Sequence, residues 1–290
     1  MTSETCVDAA TGRKYYLDFP TKPGGQLTFL LNLHGGGSAG VWQRGYFPAH
    51  DYVDSHQLVV AAPTAATGQP FRAWVGEADD EHLHHVVTQI YDRFGKDAIR
   101  AMWLVGHSQG GMTSRRLLNT SFFADRVDGF LSLSGGRIGN AQIVEGFGPP
   151  RTPEQREAMA QMRRRFEPPP LPDADFSFIF ATGEHEIVEL PATSPWAEKY
   201  AAGARVRLDD VVDTEPGQVH DTRWGDRSTI SWGREPRPGV AEVYVFPDAK
   251  DDRVIVDVVR RDKGHTEGLE PLITQKLLDL IVAAPGGKLS

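Results

Sequence analysis

Along this chain, short and nearly unbroken apolar runs alternate with segments of helical period. Leu27 to Leu33 is almost entirely apolar. Leu58 to Ala62 is closed by Pro63, Met102 to Val105 lacks any period-two alternation, and Gly129 to Leu133 and Phe176 to Ala181 follow. Runs of this kind predict strands buried on both faces of a parallel sheet. Lys14 to Phe19 predicts the first strand, ended by Pro20, with a turn at Pro23-Gly24-Gly25. Glu77 to Phe94 predicts a helix that lays Leu83, Val86, Val87, Ile90 and Phe94 on one face, and Leu272 to Val282 predicts the terminal helix. Val240 to Phe246 and Val254 to Val259 are β-like runs, joined at Asp248 to Asp252 as a hairpin. The alternation predicts a single α/β domain over residues 1–290, with a mostly parallel central sheet and helices on both faces.

Two stretches break this rhythm. Within residues 137–172, proline-rich ends (Gly146 to Pro150, Pro168 to Pro172) bracket Thr152 to Phe166, a charged helix with Thr152 as N-cap and Pro153 at its first position. Two readings stand: a solvated connector, or a small lid-like insertion over the chemistry described next. Arg205 to Pro238 is polar and rich in turns.

The chemistry centres on Gly106-His107-Ser108-Gln109-Gly110, directly after the Met102–Val105 run and before a segment of helix formers. Strand, G-x-S-x-G and helix in that order is the context of a nucleophile elbow, a turn so tight that the neighbours of the serine must be small. Ser108 is therefore the expected nucleophile. A serine hydroxyl needs a base, an acid to orient that base, and donors for an oxyanion. Of ten histidines, His265 in Lys263-Gly264-His265-Thr266 lies between a strand-like run and the last helix and is the expected base. His34 and His107 belong to glycine motifs, where histidines brace loops, while His50, His56 and His220 have no supporting context. The loop after Phe176–Ala181 offers two acids, Glu184 and Glu186. The oxyanion hole is expected from the N–H of Gln109 with one from Gly35 or Gly36.

A net charge of −8 leaves no basic surplus for phosphates and argues against a nucleic-acid partner. The single cysteine, Cys6, allows no intrachain disulfide. No early apolar run resembles a leader and no span is long enough for a bilayer, so a cytoplasmic protein without a membrane partner is expected. The run Asp79-Asp80-Glu81-His82-Leu83-His84-His85 carries metal-ligating side chains but is not H-E-x-x-H. Acids in a first helical turn are ordinary dipole compensation, so no metal is expected. Trp42, Trp74, Trp196, Trp224 and Trp232 are core candidates that could also line a pocket.

Taken with these motifs, the chain resembles the α/β-hydrolase superfamily and, within it, the branch of bacterial polyhydroxybutyrate depolymerases and feruloyl-esterase-like proteins. The similarity runs from Gly12-Arg13-Lys14-Tyr15-Tyr16 through Leu33-His34-Gly35-Gly36 to the Asp79-Asp80 helix and the serine strand. It resumes at Gly183-Glu184-His185-Glu186 and Gly264-His265-Thr266. The resemblance implies the α/β-hydrolase fold and cofactor-free cleavage of a carboxylic ester through an acyl-enzyme. The chain order serine, acid, histidine fits it, and its acid position, separated from the glycine by two residues, falls on Glu186. The branch often has aspartate there, and many members are secreted with disulfides. Arg205 to Asp252 matches nothing in the branch and no polymer-binding module is visible, which favours a small-molecule ester. A serine peptidase or amidase, or a binding protein that keeps the pocket without turnover, are the alternatives on the same fold.

Overall fold

The computed structural model describes residues 1–24, 26–66, 72–140, 170–187, 189–221 and 230–289. The segment Thr152 to Phe166, its Gly146–Pro150 flank and Trp224 lie outside the described residues. Eleven strands among the described residues form one sheet: β1 Thr2–Val7, β2 Lys14–Phe19, β3 Leu27–Leu33, β4 Leu58–Pro63, β5 Ile99–His107, β6 Gly129–Leu133, β7 Ser177–Gly183, β8 Val206–Arg207, β9 Val211–Val212, β10 Val240–Val245 and β11 Ile255–Arg261. Their order is β1-β2-β4-β3-β5-β6-β7-β11-β10-β8, with β9 also on β10. The interior from β4 to β11 is parallel; β1, β2 and the β10 edge are antiparallel.

Side chains alternate across a strand, so a strand covered on both faces must be apolar throughout. In β5, Met102 and Leu104 join the core under the Gly76–Phe94 helix, while Trp103 and Val105 join the core under the Pro271–Ala283 helix. In β3, Phe29, Leu31 and Leu33 face the first core and Leu30 the second. The Gly76–Phe94 helix buries Leu83, Val86, Val87 and Ile90 as its spacing predicts, with Tyr91 in addition and Phe94 at the margin.

Lys14–Phe19 is not the first strand. β1 precedes it and pairs antiparallel from Thr2↔Phe19 to Val7↔Lys14. Its residues alternate between half-buried and exposed, so this polar edge strand carries no apolar run to mark it. The turn-rich Arg205–Pro238 stretch contains β8 and β9, two-residue strands that cover the outer edge of β10. Among the described residues, no helix is long and apolar enough to cross a membrane.

Two registers position the site. Leu33 pairs with Gly106, so the loops after β3 and β5 leave the sheet side by side. The chain runs from β3 to β4 on one side and returns to β5 on the other, a switch of direction that opens a crevice at the strand ends. Arg260 pairs with Gly183, which likewise brings together the loops after β7 and β11.

Candidate active site

β5 ends in a turn that the Gln109–Leu117 helix follows at once. Ser108 sits in that turn at φ 52°, ψ −118°, a left-handed conformation that costs a non-glycine residue about 1–3 kcal/mol. The turn is held by Ser108 N donating to Leu133 O at 2.8 Å, and by Gly111 N and Met112 N donating to Ser108 O at 3.0 and 3.1 Å. It closes only because its flanks lack side chains. A Cβ on Gly106 would lie 2.3 Å from the carbonyl carbon of Gly110, and one on Gly110 would lie 2.3 Å from Leu33 O. The half-buried Ser108 faces a cavity of about 330 Å³, which His265, His107 and Gly35 to Gly37 also line.

His265 stands on the loop after β11. Its Nδ1 lies 2.6 Å from Glu186 Oε2, and both residues are buried. The carboxylate can only accept, so the proton between them is on Nδ1. Glu186 Oε1 accepts from Ser134 Oγ and from Gly183 N, both at 2.7 Å. Burial alone would raise the Glu186 pKa. The His265 charge and the hydrogen bonds from His265, Ser134 and Gly183 outweigh it and hold the carboxyl below the usual glutamate value. Glu184 points elsewhere: it accepts from Asp262 N at 2.8 Å and pairs with Arg261 at 3.0 Å. Of the two acids on this loop, the structure brings Glu186 to His265.

The histidines of the two glycine motifs act as braces. His107 Nε2 donates to His265 O at 2.9 Å, and Tyr46 OH donates to the same carbonyl at 3.2 Å. Burial, then the charge of His265, pushes the His107 pKa well below the ordinary value, so the ring is neutral. His34 Nδ1 donates to Gly35 O at 2.7 Å and its Nε2 accepts from Ala65 N at 3.0 Å. Burial lowers its pKa to about 4. Gly35 is pressed against the serine: a Cβ there would lie 2.8 Å from His107 Nδ1 and 3.2 Å from Ser108 Cβ. That approach sets the backbone of the Gly35–Gly36 loop beside Ser108. Gln109 opens the following helix, and its side-chain Oε1 accepts from Trp74 N at 3.2 Å.

The Asp79–His85 run is absorbed by other contacts. His82 and His85 both meet Asp8 Oδ2 through Nδ1, at 2.9 and 3.2 Å. His84 stacks on Phe122 at 4.2 Å, and Asp79 pairs with Arg13 at 2.6 Å. Asp79 is fully buried and accepts from Ala66 N, so it staples a loop to the helix as well as meeting the dipole.

Sequence reasoning missed several residues of the cavity: Arg72, His220, Asp221, Ser38 and Thr266 all line it. His220, with no context in its own segment, reaches the cavity because Gly268 N donates to Val219 O at 2.7 Å. No local pattern in a polar, turn-rich stretch signals such a contact. Trp42 and Trp232 line the cavity, whereas Trp74 and Trp196 are core residues. Trp232 packs against His265 in a tilted arrangement with ring centres 5.4 Å apart.

No family model matches the chain, and no curated protein sequence matches it. Among solved structures, acetyl xylan esterase from Aspergillus awamori is similar at 12% identity with a TM-score of 0.54, over 97% of this chain and 100% of that one. TT1662 from Thermus thermophilus shares 17% identity with a TM-score of 0.47, over 97% of each chain. Parallel interior strands flanked by helices, an elbow after β5 and the likeness to the first of these structures lead to one conclusion: the chain has the α/β-hydrolase fold.

Proposed function

We propose that the protein is a serine hydrolase that cleaves a small carboxylic ester through an acyl-enzyme, without a cofactor. Ser108 Oγ attacks the ester carbonyl as its proton passes to His265 Nε2, and the carbonyl electron pair moves onto oxygen. Gln109 N–H and an N–H from Gly35 or Gly36 receive that oxyanion. Collapse expels the alcohol, which takes the proton from His265. Water then attacks the acyl-enzyme, gives its proton to the same nitrogen, and Ser108 leaves with that proton. Glu186 holds Nδ1–H and stabilises the imidazolium in both halves.

One observation carries this reading. A serine in a left-handed elbow shares a cavity with a histidine whose Nδ1 lies 2.6 Å from a buried carboxylate. A volume of about 330 Å³ lies at the small end of ligand pockets and supports a small-molecule ester. The structural relative that is an acetyl xylan esterase supports an ester rather than an amide. The motif resemblance supports the polyhydroxybutyrate depolymerase and feruloyl-esterase-like branch as the finer placement.

The test is a fluorophosphonate probe with intact-mass readout, together with turnover of p-nitrophenyl acetate. The wild type should gain one adduct. Ser108→Ala should gain none and lose about 10⁶ in turnover. An adduct retained in Ser108→Ala, or activity within about tenfold of wild type, would overturn the assignment.

A further inference from the structure

The cavity over Ser108 contains a cation that the proposed chemistry does not use. Arg72 lines it beside Ser38, Ala39 and Trp42. Its place is fixed at both ends: Gly37 N donates to Arg72 O at 2.6 Å, and Arg72 Nη1 donates to Ser38 O at 3.1 Å. The side chain therefore runs along the same glycine loop that supplies the expected oxyanion donors.

A guanidinium has five N–H donors in a planar fork. Here one of its nitrogens has a backbone acceptor, while Nε is buried with no hydrogen-bond partner. Among the described residues, no aspartate or glutamate pairs with Arg72. This occurs in a chain with 39 acidic and 31 basic side chains, where counter-ions are in surplus. Asp221, the acid lining the same cavity, is buried and has a partner of its own. Holding a cation in a partly dry pocket without a counter-ion costs free energy that an arginine with a purely structural role avoids by pairing. The positive charge is felt within the site, where it adds to burial in lowering the His34 pKa.

Resting on the hydrolase reading, we infer that Arg72 is the specificity residue of this cavity and that the ester it takes carries a carboxylate. A carboxylate supplies the acceptor that Nη2 of this guanidinium lacks among the described residues, while the ester carbonyl lies at Ser108. The carboxylate can belong to the acyl part or to the alcohol part of the ester, and the two are told apart by experiment.

Two matched pairs serve, each comparing an acid with its neutral amide. Monoethyl adipate against its terminal amide places the charge on the acyl side; para-acetoxybenzoate against para-acetoxybenzamide places it on the alcohol side. The quantity read is the ratio of kcat/KM for acid over amide in wild type, Arg72→Met and Arg72→Lys. Active-enzyme concentration cancels in that ratio, so partial misfolding of a variant does not imitate the effect. One charge-assisted contact predicts a wild-type ratio of about 10–100 in one of the pairs, carried mainly by KM. Arg72→Met should bring the ratio to about one or below, and Arg72→Lys should restore part of it. A wild-type ratio near one in both pairs, or a high ratio that survives in Arg72→Met, overturns the inference. Fluorophosphonate labelling of the same wild-type sample separates the two readings. Labelling and amide-ester turnover with a flat ratio remove the role of Arg72 alone, whereas no labelling and no turnover of any ester remove both.

Discussion

Glu186→Gln is the most discriminating change at this site, because the surroundings dictate which way the new amide must turn. The carboxylate now accepts on both oxygens: Oε1 from Ser134 Oγ and Gly183 N, and Oε2 from His265 Nδ1. A glutamine has one oxygen for these two positions. If its NH₂ faces Gly183, two N–H groups meet in a buried place; Ser134 can rotate to accept, but a backbone N–H cannot. An unsatisfied buried donor costs about 1–3 kcal/mol, so this orientation is disfavoured by about tenfold to a hundredfold. The other orientation keeps the oxygen on Gly183 and turns NH₂ toward Nδ1. His265 must then accept at Nδ1 and carry its proton on Nε2, the tautomer unable to take a proton from Ser108. The expected result is a loss of up to about 10⁴ in kcat with the fold intact. The assay is turnover of p-nitrophenyl acetate, with a thermal melt to establish folding. Glu184→Gln is the control: its carboxylate meets Asp262 N and Arg261 away from the cavity, and activity should stay within about threefold of wild type. Activity of Glu186→Gln within about tenfold of wild type, or a larger loss in Glu184→Gln, would refute the reasoning.

Two stability predictions follow from the same elbow and its braces. Gly110→Ala gains about 1 kcal/mol of helix propensity, but its Cβ would sit 2.3 Å from Leu33 O and 2.7 Å from His34 O, backbone that β3 holds in place. A net loss of about 2–3 kcal/mol is expected in urea unfolding, and no loss would contradict the packing argument. His34, held from 6.5 down to about 4 in the folded protein, leaves the unfolded chain to bind the extra proton. Its contribution is therefore complete above pH ~6.5 and is lost as pH falls toward ~4, to about 3 kcal/mol in all. Unfolding free energies measured across that window should fall more steeply for the wild type than for His34→Gln, and parallel curves would count against a buried neutral His34.

What the sequence makes legible is what local pattern controls. The interior strands read as apolar runs because helices cover both faces, and the elbow reads as a motif because its glycines lie within one strand–turn–helix unit, even though Gly110 answers contacts from β3. β1 does not read, since half of each polar residue pair faces solvent. The choice between Glu184 and Glu186 stays open in the residues alone because both lie in one short 3₁₀ turn. Which one faces inward depends on Ser134 and His265, groups that meet Glu186 only once β6, β7 and β11 are side by side. Arg72 and His220 leave no trace for a related reason. Each reaches the cavity through backbone bonds to a distant loop: Arg72 through Gly37, His220 through Val219 on Gly268.

His107 shows how such distant parts become one site. The sequence marks it only as the residue before the serine, yet it stands where both halves of the cavity meet. Its ring lies 4.0 Å from Tyr46 and 4.7 Å from His265 between centres, with Nδ1 beneath Gly35 and Nε2 donating to His265 O. Because burial keeps the ring neutral, it has one proton to give, and the His265 carbonyl takes it. The loop after β11 is thus tied to the strand that carries Ser108 by a bond that does not change as the solvent pH crosses the ordinary histidine range. Ser108 follows His107 in the strained turn, and the His265 ring packs against the His107 ring, so one residue touches both parts of the site. A side chain smaller than imidazole would remove the packing on Tyr46 and His265 and the bond to the His265 carbonyl together, which accounts for a bulky aromatic residue being packed among the glycines of this elbow.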